Sequence, residues 1–258
     1  MSRKEKKMTN TKIKTLGFLA LLIMVAIVAG SSLAASQLSQ RVLLADYSLD
    51  TTAAQRAEAI RIVTEMADLA ASDRGMVAAS PFQTSALASV TWPILHTFRP
   101  KTSDPNSYYE KLDLAQQADA VKRQAKKFFG RQSGVPGTDI LGGLLAAGEL
   151  FASEPAGPRT LVLNSNMWAY SKADDLVLKA RALSAPEIKR LISKLGRAGK
   201  IAKLTGVCIY VVGGGLDPRR QIPNGIQISL RGFWRAYFAK AGAVLRAWTP
   251  TLDSEPSC

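Results

Sequence analysis

Apolar residues fall along this chain in short unbroken runs, separated by stretches where they recur every three or four positions. The runs at 41–45, 75–80, 87–92, 159–163 and 206–212, with a sixth candidate at 243–248, are rich in Leu, Val, Ile or Ala and bounded by Gly, Pro, Asp or Asn. Such runs are expected of strands covered on both faces. Between them the period changes to that of a helix. Residues 52–71 open with Thr52-Ala-Ala-Gln55, the spacing of a capping box, and continue with Ile60, Val63, Ala67 and Ala70 on one face. Residues 113–129 predict a basic amphipathic helix containing Lys122, Arg123, Lys126 and Lys127. Residues 139–152 are apolar nearly all round, as a central, buried helix would be. Ser184-Ala-Pro-Glu187 forms a second capping box with proline in the first turn, ahead of the stripe Ile188, Leu191, Ile192 and Leu195 on a helix over 184–203. A final helix over 226–241 carries Leu230, Phe233, Trp234 and Tyr237.

Alternation of strand and helix predicts an α/β fold with a doubly wound, mostly parallel sheet. One pair breaks the alternation. The runs 75–80 and 87–92 have no helix between them, so they are expected to form an antiparallel hairpin at one edge. Residues 96–112, with two prolines and the adjacent pair Tyr108-Tyr109, read as a long surface loop.

The amino-terminal segment changes the picture of where such a domain would reside. Residues 1–14 hold six basic side chains against Glu5, a local excess of five, which leaves nine of the formal +14 to the rest of the chain. Residues 16–29 are an uncharged apolar block, continued by Gly30 to Ala35. Basic residues before the block and none soon after it predict a cytoplasmic amino terminus with the remainder outside. Taken through Ala35, the segment reaches the roughly 20 residues that span a bilayer. Ser32-Leu33-Ala34 also has the small residues of a signal cleavage site. Both readings predict a domain over 36–249 in or beyond the cytoplasmic membrane, followed by a tail over 250–258. The first gives a single-pass anchor, the second a periplasmic or secreted protein. Export argues against nucleic acid as a partner despite the basic balance, and no interleaved aromatics accompany the charge.

Cys208, inside Gly-Val-Cys-Ile-Tyr-Val-Val, reads as a buried small hydrophobe, and Cys258 as a free tail thiol that could pair between molecules. His96 is the only histidine, which leaves histidine triads and multi-histidine zinc sites little to work with. Gly213-Gly-Gly215 follows a strand but lacks the spacing of a dinucleotide loop and reads as a turn.

The candidate chemistry lies at residues 42–50. A short apolar run stops at Asp46, and Ser48 and Asp50 follow at two-residue intervals before Thr51, Thr52 and the first helix. That order puts oxygen-rich side chains at the carboxyl edge of a sheet, where open α/β folds bind ligands. Hard oxygens at that spacing suit a hard divalent cation. Asp46 and Ser48 could equally serve only as caps for the helix that follows. Asp46-x-Ser48 also departs from the Asp-x-Asp-x-Thr of haloacid dehalogenase-type phosphohydrolases, because the second acid is missing.

Over roughly residues 40–248 the chain resembles the von Willebrand factor A domain family, whose fold has an edge hairpin after the first helix. Asp46-Tyr-Ser48-Leu-Asp50 falls on the family's Asp-x-Ser-x-Ser motif, and Thr138 in Gly137-Thr138-Asp139-Ile140 on its later threonine. Asn166 in Leu161-Val-Leu-Asn164-Ser165-Asn166 falls on its distal aspartate. Two of the five positions differ from the pattern, Asp50 for serine and Asn166 for aspartate, so the adhesion site is degenerate. The resemblance implies a metal set of Asp46, Ser48, Asp50, Thr138 and Asn166 for Mg2+ or Mn2+, and a partner protein that reaches the metal through an acidic side chain. It implies no catalysis. The function expected is therefore that of a protein-binding module of the bacterial cell envelope. The alternatives are an exported metal-dependent hydrolase using Asp46 and Asp50, and a metal-free structural component of the envelope.

Overall fold

The structure, a computed structural model, describes residues 38–48, 51–82, 92–101, 107–132, 138–153, 157–171, 176–178, 181–217, 221–253, 255–256 and 258. The segment 16–35, the run 87–91 and Asp50 lie outside them. Among the described residues no helix is long and apolar enough to cross a membrane.

In the first strand, β1 (Gln40–Ala45), Val42 and Leu44 enter one apolar cluster and Leu43 and Ala45 another. The strand is thus buried from both sides, which is why its sequence is apolar without alternation. Parallel neighbours flank it in register, β2 (Met76–Pro81) from Gln40↔Met76 and β4 (Arg159–Asn164) from Gln40↔Arg159. β7 (Val207–Val212) pairs with β4, and β8 (Val244–Thr249) closes that side. At the other side β3 (Ile94–Thr97) pairs antiparallel with β2, from Met76↔Thr97 to Ala79↔Ile94. The six-stranded order is β3-β2-β1-β4-β7-β8.

Helices α1 (Ala53–Asp73) and α2 (Ser107–Phe129) bury Ile62, Val63, Met66, Val121 and Phe129 over one face of the sheet. On the other lie α3 (Ile140–Ser153), α4 (Ala185–Arg197) and α5 (Asn224–Ala241), contributing Leu144, Phe151, Leu195 and an aromatic group around Trp234. Both predicted capping boxes form. Thr52 and Gln55 bond reciprocally at α1, and Ser184 and Glu187 do so at α4. At α4 the hydrogen bonds from Arg181 and Ser184 hold the Glu187 carboxyl down at about 2.

Four sequence expectations need correction. The antiparallel partner of β2 is residues 94–97, not 87–92. It was hidden because an edge strand with one open face carries His96 and Thr97, and leaves Leu95 half exposed. The stretch read as a loop from 96 to 112 instead contains the end of β3 and the first turns of α2. The helix expected over 184–203 stops at Arg197, where backbone bonds from Ala198 to Lys194 and from Lys200 to Leu195 close its last turn. Finally, Cys208 and Cys258 form a disulfide. The tail that carries Cys258 returns across the α1 side, where Leu252 is buried and its carbonyl accepts from Arg61. A two-stranded ribbon, β5 (Tyr170–Ser171) with β6 (Leu176–Val177), was not foreseen.

Tyr237 makes the core pH-sensitive at the alkaline end. Its buried hydroxyl donates to Lys200 O at 3.0 Å and accepts from Ala202 N–H at 3.1 Å. Burial pushes the phenol up to about 12 from its ordinary 10.0. Between those values the unfolded chain releases a proton that the native chain keeps. The stability is therefore complete below pH 10 and falls as pH rises towards 12. Urea midpoints measured across that range should fall more steeply for the natural protein than for Tyr237→Phe. Parallel curves would assign the alkaline loss to other groups.

Candidate functional site

The carboxyl ends of β1 and β4 meet one residue beyond their formal pairing, where Asp46 N–H donates to Asn164 O at 2.7 Å. This fixes the backbone of Asp46 at the sheet edge and leaves its side chain facing the start of α3. There Thr138 Oγ1 donates to Asp46 Oδ1 at 2.9 Å, joining residues 92 positions apart. The same oxygen accepts from Ser48 N–H at 3.2 Å, with Thr51 Oγ1 at 3.5 Å. No hydrogen bond to Asp46 Oδ2 is found among the described residues. The structure thus brings together three of the five predicted residues: Asp46, Ser48 and Thr138.

Thr138 is placed by its neighbour. Asp139 Oδ1 accepts from Gly142 N–H at 2.9 Å and caps α3, so the threonine just before the cap is held over Asp46. Asn164, the last residue of β4, donates its side-chain amide to Gln55 O at 2.9 Å and ties the sheet edge to the first turn of α1. Tyr47, the variable position of the motif, anchors the loop from the other side. Its hydroxyl donates to Phe128 O at 3.0 Å and also contacts Arg131 O, and its ring stacks on Phe128. Burial pushes the Tyr47 phenol up, against the opposing pull of Arg56 and Arg131. Sequence reading missed both anchors. The only signal for Tyr47 was an aromatic residue where the chain turns from strand to loop.

Asn166 is not joined to the group. Its Oδ1 accepts from Trp168 N–H at 3.0 Å, closing a turn in which Met167 has φ 62°. Its carbonyl accepts from Gly215 N–H at 2.9 Å. No hydrogen bond links its side chain to Asp46, Ser48 or Thr138 among the described residues. The glycine triplet serves as the packing partner of this turn. A Cβ at Gly214 would lie 2.4 Å from the ring of Trp248, whose Nε1 donates to Gly214 O at 3.0 Å. Trp168 is half-buried, with Nε1 donating to Leu216 O at 3.3 Å.

Chemically the cluster offers hard oxygen donors: the Asp46 carboxylate and the hydroxyls of Thr138 and Thr51, with Ser48 joined through its backbone N–H. Thr138 gives its proton to Asp46, which leaves the lone pairs of Thr138 for a cation. Such donors fit Mg2+ or Mn2+ with water completing the shell. Among the described residues no group of three or more His, Cys, Asp or Glu side chains stands together.

No protein-family model and no curated protein matches the chain. Among solved structures it is similar to an aerotolerance-related membrane protein from Bacteroides fragilis, at 14% identity and a TM-score of 0.38, over 81% of this chain and 90% of that one. It is also similar to a von Willebrand factor type A protein from Catenulispora acidiphila, at 14% identity and a TM-score of 0.37, over 80% of this chain and 43% of that one. The sheet itself has the form the motif resemblance implied: six strands, mostly parallel, with one antiparallel edge strand after the first helix. The domain is therefore a doubly wound α/β fold with a mostly parallel six-stranded sheet.

Proposed function

We propose that this A-like domain is a protein-binding module of the cell envelope, held at or exported across the cytoplasmic membrane by residues 16–35. It presents the carboxyl edge of the sheet to a partner, and Asp46, Ser48 and Thr138 hold a divalent cation there. When bound, the cation would supply a coordination position for an acidic side chain of the partner. The observation that carries this reading is the Thr138–Asp46 hydrogen bond, which sets two distant motif residues side by side at the edge. The Cys208–Cys258 disulfide supports the export part, since such bonds persist in oxidising compartments. Asp46 orients Thr138 and fixes the loop through Ser48, and Tyr47 restrains the same loop. Metal-dependent hydrolysis of phosphoester or peptide substrates by the purified chain would replace this reading with that of a hydrolase.

Calorimetric titration of Mg2+ and Mn2+ into the purified chain tests the metal. Saturable binding is expected, lost in Asp46→Ala and weakened about tenfold in Thr138→Ala. No binding to the natural protein would leave Asp46 and Ser48 as helix caps. A photo-crosslinking residue at Ser48, against one at exposed Thr205 on the opposite edge, tests the surface. Adducts from Ser48 are expected, and adducts from Thr205 alone would overturn the assignment.

A further inference from the structure

A second surface stands apart from the sheet edge. Helices α4 and α5 lie side by side with a trough of about 910 Å³ between them. Its floor is apolar, formed by Ile188 and Ile192 of one helix and Gly232 and Ala236 of the other. Its rims carry Lys189, Arg197 and Lys240, all exposed, and none is in an ion pair among the described residues. The two helices together hold seven Lys or Arg side chains and a single carboxylate, Glu187, which already pairs with Arg181. α4 keeps little of its apolar stripe covered. Only Ile192 and Leu195 are buried, while Ile188 and Leu191 remain half-buried.

From this trough we infer that the α4–α5 face docks an acidic amphipathic helix of a partner protein. Concavity and charge together select that occupant. A rod with one apolar ridge fills a trough with an apolar floor, and acidic flanks meet the cationic rims. α4 runs 13 residues, so the trough has a length of about 20 Å, enough for three turns of a bound helix. A flat anionic bilayer would meet the rims and leave the floor unfilled. Gly232 lines the floor of the trough without a side chain of its own. A Cβ there would lie 3.5 Å from Ile188 Cδ1, an ordinary contact, so a larger side chain is accommodated by occupying the space above the floor.

The test uses the full chain and a fluorescent synthetic helix of about 16 residues, with leucines on one ridge flanked by glutamates. A permuted peptide of identical composition lacks the ridge. At about 150 mM salt, anisotropy should show the amphipathic peptide binding at least about tenfold more tightly than the permuted one. Gly232→Leu fills the trough without altering charge and should weaken that binding about tenfold. Lys189→Gln/Arg197→Gln/Lys240→Gln, confined to exposed positions, should weaken it at least as much. Asp46→Ala should leave it unchanged, which separates this surface from the one at the sheet edge. Equal binding of both peptides, or indifference to Gly232→Leu, would overturn the proposal and leave a merely cationic face. Binding to anionic phosphatidylglycerol vesicles in place of the peptide would overturn it in favour of a membrane contact. Loss of peptide binding in Asp46→Ala would move the site to the sheet edge.

Discussion

Removing the Cys208–Cys258 disulfide, by reduction or as Cys208→Ala/Cys258→Ala, is expected to lower the unfolding free energy by about 4 kcal/mol. The two residues are 50 positions apart, and the entropy of closing a loop of that size in the unfolded chain gives this magnitude. The loop encloses α5, β8 and the tail, so the crosslink restrains the last third of the sheet as well as the unfolded chain. Cys208 lies on the α1 side of β7, and the tail reaches it after passing over α1. There Leu252 N–H donates to Glu58 and Leu252 O accepts from Arg61. The Arg61 guanidinium beside Glu58 holds its carboxyl below the ordinary carboxylate range, so this clamp persists into mildly acid solution. Urea unfolding with and without a thiol reductant measures the effect. Coincident midpoints would show that the unfolded chain gains nothing from being open, and the entropic account would fail.

The second large effect belongs to Trp234. Its side chain is fully buried among Phe233, Tyr237 and Phe238. Its Nε1 donates to Met167 O at 2.9 Å. Trp234→Ala is expected to cost about 3–5 kcal/mol through the cavity it leaves. Trp234→Phe keeps most of the ring and removes one of the two donors to the Met167 carbonyl, which retains Ala169 N–H, at about 1 kcal/mol. The two variants separate packing from positioning. Met167 stands at positive φ inside the turn closed by Asn166, so Trp234→Phe should also speed amide exchange at Trp168, whose N–H bonds Asn166 Oδ1. Unchanged exchange would mean that the turn holds its shape without the core.

Much of this architecture could be read from the chain because both sheet faces are buried, which turns each central strand into an unmistakable apolar run. Val207–Val212 is the clearest case, every residue of it buried. The capping boxes at Thr52 and Ser184 were legible for a local reason, since their partners stand three residues away. Legibility failed where one face is open or where the partner is remote. β3 alternates weakly and carries a histidine, and its pairing with β2 replaces the run expected at 87–92. Tyr108 and Tyr109 lie on the exposed first turn of α2, where no core contact imposes a helical period. The disulfide depended on the return path of the tail over α1, which no local pattern encodes. At the site, the motif resemblance pointed to Asp46, Ser48 and Thr138, and the structure bonds the Thr138 hydroxyl and the Ser48 backbone N–H to Asp46. Asn166 had the right strand but a different task, because its own turn claims the side-chain oxygen.

Three of the four tryptophans direct their indole N–H groups at backbone carbonyls of the two loops beside the candidate site. Trp234 bonds Met167 O, Trp168 bonds Leu216 O, and Trp248 bonds Gly214 O. The ultraviolet emission of this protein is therefore expected to respond to movement of the backbone in these two loops. The unlabelled protein carries its own optical gauge of the site, sensitive to loop movement even when the occupant absorbs no light.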